Sequence, residues 1–310
     1  MTLANDIRNY YFSNLDKLPL DKQFHFCSRL WLWSGDNRAQ KNLDRVYYAW
    51  SHGEYGSVAE NLRWLGLNTL SPLPTDSPLN AADLREPFFM KYSKIKRYNS
   101  VLSRINFFQS IYSQDFSDEF YKIFPCDEVI EFYRKLSVDR EALKYLATYA
   151  LNFLHNFAHL IERDPGILPR NLFIEIAKND YDISDKDELQ LLIYFVTHMI
   201  LGESLFYRRR VKSQDYRKMI TDLEKIIVSN FDSIHMDNKF EFLVCSKLVG
   251  HKSKLHDAIW DEGEKSISPN GSFIIDKYNK NPQKNRIDLI LSEHRNVLAI
   301  MSQTPPAIGR

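Results

Sequence analysis

Two histidines four residues apart, in YALNFLHNFAHLIER from Tyr149 to Arg163, are the first side chains of this 310-residue sequence able to share one chemical task. At about 100° of rotation per residue, Phe153, Leu154, Phe157, Leu160 and Ile161 fall on one broad apolar face. Asn152, His155, Asn156, His159 and Arg163 gather on the other. His155 and His159, at i and i+4, are neighbours on such a helix and could hold one metal ion together. The metalloprotease pattern HExxH is absent, because Asn156 stands where its catalytic Glu would be. A third imidazole comes from LLIYFVTHMILGE, Leu191 to Glu203, which is apolar on every side except a narrow stripe of Gln190, Tyr194, Thr197 and His198. A helix that is hydrophobic all round must be buried. Its polar stripe then needs a partner inside the protein. If the two polar faces confront one another, His155, His159 and His198 form an open Zn or Fe site. Glu203 would serve as ligand, acid/base or imidazole-orienting carboxylate, and Asn152, Tyr194 and Thr197 would line the substrate side. The competing reading makes the pair His155/His159 a solvated face and His198 a neutral core histidine bonded to a carbonyl or a Tyr hydroxyl.

The closing helix, LILSEHRNVLAIM, carries a second cluster. Ile290, Val297, Ile300 and Met301 define its apolar face, with Glu293 and His294 at the border and Asp288, Ser292 and Arg295 opposite. A carboxylate and an imidazole bordering a core are costly unless paired. Glu293 and His294 are therefore expected in acid/base roles, with Arg295 and Arg208 as anion binders. The plainer alternative is a helix start, with Ser292 as cap and Glu293 on the dipole. Arg208, Arg209, Arg210 and Lys212 follow Phe206 and Tyr207; basic and aromatic residues together can hold phosphate, although such runs usually face solvent. His256–Asp257 matches the pair used by HD phosphohydrolases, with His235 or His251 and Asp276 or Asp288 as nominees for the rest of the set. Asp180–Leu191 fails as an EF-hand, having Asp185 for Gly and Leu191 for Glu. No GxGxxG, Walker A, GxSxG or kinase set occurs.

The elements that position these residues are helical. Asp21–Trp33 reads as a dense aromatic helix capped by Gly35. Helices are expected over Asp36–Ser51, Glu54–Leu65, Tyr92–Ser113, Ser117–Phe124, Asp127–Leu136, Asp139–Arg163, Asn171–Lys178, a segment capped by Ser184, Ser213–Ser233, Asp237–Val249, Ser253–Glu264 and Ile287–Met301. Pro72, Pro74, Pro78 and Pro87 make Leu67–Pro87 the long loop, and Phe273–Ile275 the one short apolar run with strand character. The organisation expected is an N-terminal helical subdomain (1–66), a Pro-rich linker (67–91), a main helical domain (92–302) and a frayed tail (303–310). Hydrophobic residues at 44% and charged residues at 26% are those of a globular protein. The net charge of +1 argues against a nucleic-acid partner. Ten glycines are few, against glycine-loop nucleotide folds. The three cysteines, Cys27, Cys126 and Cys245, are widely spaced and read as buried thiols. No apolar run reaches the roughly 20 residues of a membrane span and no signal-peptide pattern opens the chain, so a cytoplasmic location is expected.

The fold class is all-α, as an α/α toroid-like or irregular multi-helix bundle with a central polar cavity. Helices with THMILGESLFY (Thr197–Tyr207) and a closing SEHRNVLAIM (Ser292–Met301) resemble, over about residues 95–302, the α/α toroids of terpenoid cyclases and prenyltransferases, and bacterial helical proteins of that shape. The resemblance implies a central cavity. The DDxxD and DxDD acids and the prenyltransferase zinc set are absent, so no reaction carries over. The function expected is a metal-dependent enzyme acting on a small molecule or modified peptide. Its rival is a non-catalytic scaffold with structural histidines and a protein partner.

Overall fold

The computed structural model describes residues 2–53, 55–69, 81–161, 168–275 and 289–307. The protein is all-α. In chain order the helices are α1 (Leu3–Ser13), α2 (Leu20–Ser34), α3 (Asn37–His52), α4 (Val58–Asn68), α5 (Ala81–Lys91), α6 (Ile95–Tyr112), α7 (Ser117–Ile123) and α8 (Cys126–Val138). There follow α9 (Arg140–Leu146), α10 (Thr148–Asn156), α11 (Arg170–Asn179), α12 (Lys186–Glu203), α13 (Gln214–Ser229), α14 (Met236–Leu248), α15 (His256–Lys265) and α16 (Glu293–Gln303). Among the described residues no helix is long and apolar enough to cross a membrane.

The helix boundaries follow local chemistry. Gly35 closes α2 as expected, in a left-handed conformation (φ +67°) with its N–H on the Trp31 carbonyl. Ser57 caps α4 by accepting from the Glu60 N–H. The cap of α12 is Asp185, one residue beyond the expected Ser184; its carboxylate accepts from the Asp187 and Glu188 amides. Three other expectations are corrected. The long helix over Asp139–Arg163 is broken at Ala147 (φ +38°) into α9 and α10, and α10 runs on through a π turn, Phe157–Ile161. Helix α5, with Pro87 inside it, starts within the expected loop and runs past its end, while residues 70–80 lie outside the described residues. The tail is docked as far as it is described: Trp33 Nε1 donates to Thr304 and the Ala307 N–H bonds to the Trp33 carbonyl. The Phe273–Ile275 run forms no named strand, only a single antiparallel bridge between Ile267 and Ile274.

The chain divides into two compact units, drawn differently from the expected boundaries at 66, 91 and 302. One comprises residues 1–48 and 207–310, and the other residues 49–206. In the first, α14 is buried almost all round and packs against α16, which packs on α1 and α2. Phe26, Trp33, Phe240 and Val297 fill its core. In the second, α10 lies between α6 and α12. Tyr98, Phe120, Phe124, Phe153 and Phe157 form an aromatic core there, with Tyr98 and Phe124 edge to face at 4.7 Å. As its sequence demands, α12 is buried from Leu189 to Glu203 except at Tyr194.

Candidate functional site

In the unit of residues 49–206, the polar faces of α10 and α12 share one seam. His155 is fully buried, its ring 6.0 Å from that of His159 and 6.1 Å from that of Phe173. His198 Nδ1 meets Asn152 Oδ1 at 2.9 Å. Two turns of sequence logic are therefore realised: the α10 face turns inward, and the α12 stripe lies against it. Close approach is set by Gly202. A Cβ built there would lie 2.2 Å from His155 Cγ, so the imidazole packs on bare helix backbone. Thr197 spends its hydroxyl on the Ile193 carbonyl at 2.9 Å, and Tyr194 is half-buried with its ring 6.5 Å from that of His198. Glu203 is buried and ion-paired with Arg170 Nε. Among the described residues no group of three His, Cys, Asp or Glu side chains is arranged to hold a metal ion. His198 Nδ1 is turned to the Asn152 amide oxygen, and His155 lies against the bare backbone at Gly202.

The unit of residues 1–48 and 207–310 holds a more complete arrangement. At the start of α16, three consecutive polar residues find partners on two other helices, α2 and α14. Glu293 is wholly buried and reaches α2, where His25 Nδ1 lies 2.7 Å from its Oε1 and Lys22 Nζ 3.3 Å from its Oε2. His294 Nδ1 lies 3.1 Å from Asp237 Oδ1 at the start of α14. Arg295 Nη2 donates to Asp237 Oδ2 at 2.6 Å. Asn296 fixes the preceding turn by donating to the Ile274 carbonyl and accepting from the Ile274 N–H, both at 2.8 Å. Ser292 is no side-chain cap; its hydroxyl accepts from Arg295 Nη1 at 3.3 Å.

The electrostatics fix protonation. Burial alone would raise the Glu293 pKa, but His25, Lys22 and Arg29 outweigh it and hold the carboxyl at about 2. Burial first, and Arg29 second, push the His25 imidazole down to about 3 against the pull of Glu293. At neutral pH the pair is therefore a carboxylate and a neutral imidazole whose Nδ1–H donates to it. The lone pair is left on Nε2. Asp237 is held well below the usual carboxylate range: burial opposes this, and the Arg295 guanidinium and His294 overcome it.

The His25 and His294 rings lie 5.5 Å apart, centroid to centroid. Their side chains are 28% and 25% exposed, and both Nδ1 atoms are committed to carboxylates. Two carboxylate-oriented imidazoles side by side can take one proton and give another. Sequence reasoning found Glu293, His294 and Arg295 here but missed Lys22, His25, Arg29 and Asp237. The signal was present: Lys22, His25 and Arg29, at i, i+3 and i+7, form a polar stripe within the aromatic α2.

The remaining nominees are dispersed. Arg208 is half-buried, and burial, then Arg209, lowers its pKa. His256 Nδ1 meets its neighbour Asp257 at 3.0 Å, and His251 is paired with Glu224 at 2.9 Å. Asp276 and Asp288 lie outside the described residues. Cys126 is exposed, contrary to expectation, whereas Cys27 and Cys245 are buried. No protein-family model, curated protein or solved structure matches this chain.

Proposed function

We propose that the chain is an enzyme performing general acid–base catalysis on a small anionic ester, at the site where His25–Glu293 and His294–Asp237 meet. The observation that carries this is the pair of imidazoles 5.5 Å apart, each tied through Nδ1 to a carboxylate. His25, neutral and beside Arg29, takes the proton of the attacking water or hydroxyl at Nε2. His294 delivers a proton to the leaving oxygen. Glu293 and Asp237 orient the rings and fix their tautomers, so Glu293 acts through His25 in place of exchanging protons itself. Arg29 supplies the charge that attracts the anion.

The test is a panel of chromogenic phosphomonoesters, phosphodiesters and carboxylic esters, assayed with the wild type, His25→Ala and His294→Ala. Turnover of at least one class is expected, falling about 10²–10⁴-fold in each variant. Absence of turnover across the panel, or histidine variants that keep the wild-type rate, removes this reading.

A second reading keeps the metal-dependent enzyme expected from His155, His159 and His198, and is favoured only by the adjacent rings of His155 and His159 and by His198 meeting Asn152 of the same helix α10. Elemental analysis of untagged protein tests it. Stoichiometric Zn or Fe, lost in His198→Ala, supports it; metal-free protein with full ester turnover rules it out.

A further inference from the structure

The ends of α14 and α16 opposite the imidazole pair bear a separate feature. The two helices run parallel: Asp237 meets His294 and Arg295 at their starts, and Lys247 Nζ donates to the Thr304 carbonyl at 3.0 Å at their ends. Ten residues of helix separate Asp237 from Lys247, about 15 Å. Around that far end opens a cavity of about 590 Å³. Four fixed cations, Arg210, Lys247, Lys252 and Lys254, face a single carboxylate, Asp257, across it. Arg210, Lys252 and Lys254 are exposed and have no ion pair among the described residues. Leu243, Pro305 and Pro306 give the cavity an apolar wall.

The loop bearing the lysines is braced from beneath. Glu224 accepts from the Ser253 hydroxyl at 2.6 Å and the Lys254 N–H at 2.7 Å, and meets His251 Nε2 at 2.9 Å. Gly250 makes the turn into this loop in a left-handed conformation (φ +70°). The loop then feeds α15, whose first residues, His256 and Asp257, line the cavity, so a helix N-terminus opens into it. Positive side chains, a helix start and a braced loop together favour an anion of several charges. The apolar wall favours a flat ring beside those charges.

We propose that this cavity binds a nucleoside triphosphate, with its phosphates on Lys252, Lys254 and Arg210 and its base against Pro305, Pro306 and Leu243. Its volume suits one small molecule, and four cations match the charge of a triphosphate. The site stands apart from the imidazole pair and does not rest on the ester-cleavage reading.

Titration calorimetry on the full chain tests it, with ATP, AMP, pyrophosphate, inorganic phosphate and a ten-nucleotide single-stranded RNA as separate probes. ATP is expected to bind at micromolar levels, about tenfold tighter than AMP or pyrophosphate, and to weaken about tenfold or more in the double variant Lys252→Ala/Lys254→Ala. Both lysines are exposed, so the double variant should keep the wild-type melting temperature. Absence of ATP binding at about 1 mM overturns the proposal, as does equal affinity in the double variant. Pyrophosphate binding as tightly as ATP removes the nucleoside. RNA binding tighter than ATP replaces the pocket with a polynucleotide track and also overturns it. Calorimetry detects binding without turnover, so its outcome is independent of the ester assay.

Discussion

Gly202→Ala isolates the contact that seats α12 on α10. An ordinary carbon contact is about 3.4–4 Å, and the added Cβ would lie 2.2 Å from His155 Cγ, 2.3 Å from Cδ2 and 2.6 Å from Nδ1. The ring would have to move by more than about 1 Å, yet it is fully buried and hemmed in by His159 and Phe173. Overpacking a rigid site costs about 1–3 kcal/mol, and the overlap here is with the ring itself, not a flexible tip, so the upper end applies. Against this, Ala in place of Gly in a helix gains about 1 kcal/mol. The net loss is about 2 kcal/mol, or roughly 4–8 °C in melting temperature for a unit of this size. Thermal and urea unfolding measure it. The double variant His155→Ala/Gly202→Ala supplies the control: with the ring removed, the new methyl enters the vacated space, and the double variant should be more stable than His155→Ala alone. A Gly202→Ala protein melting at or above the wild type would refute the packing argument, since helix propensity alone predicts that result.

Two further outcomes follow from the unit that carries the imidazole pair. His25, pushed down to about 3 from 6.5, stays neutral in the folded state while the unfolded chain takes up its proton, so stability falls as pH drops below about 6.5. Glu293, held at about 2, adds stability that is complete above its unfolded value of 4.5 and is lost between 4.5 and 2. Urea midpoints measured from pH 7 to 5 should decline in the wild type and flatten in His25→Gln; a flat wild-type curve contradicts the assignment. Asn296→Ala strands the N–H and carbonyl of Ile274, which should lower stability by about 2 kcal/mol and speed amide exchange at Ile274. Unchanged protection at that amide would show that Asn296 does not hold the turn.

The helical class was legible because its signals are local. Gly35 acts through neighbours within a turn and the all-apolar run of α12 demands burial wherever it lies, and each does in the structure what its chemistry requires. The break at Ala147 was not legible. Nothing in LKYLATYALN is a helix breaker, and the left-handed Ala arises where α9 and α10 must take different packing partners. The candidate site was half legible. The triplet Glu293–His294–Arg295 stood out because charge bordering an apolar face demands a partner, but the sequence cannot name partners 268 residues away, the separation of His25 from Glu293. His25 itself was masked by its surroundings, since Phe24, Phe26, Trp31 and Trp33 made α2 read as core alone.

The geometry of α14 and α16 also explains why this unit tolerates so many buried charges. Asp237 and Glu293 stand in the first turns of two parallel helices, where the peptide dipoles present positive potential. That potential favours the ionised carboxylates. Lys22, Arg29 and Arg295 act in the same direction. For His25, burial first and Arg29 second select the neutral imidazole beside that carboxylate. At the other ends the sign reverses, and there Lys247 donates to the carbonyl of Thr304, the residue that follows α16. The imidazole pair and the cation-rich cavity thus stand at opposite ends of the same two helices.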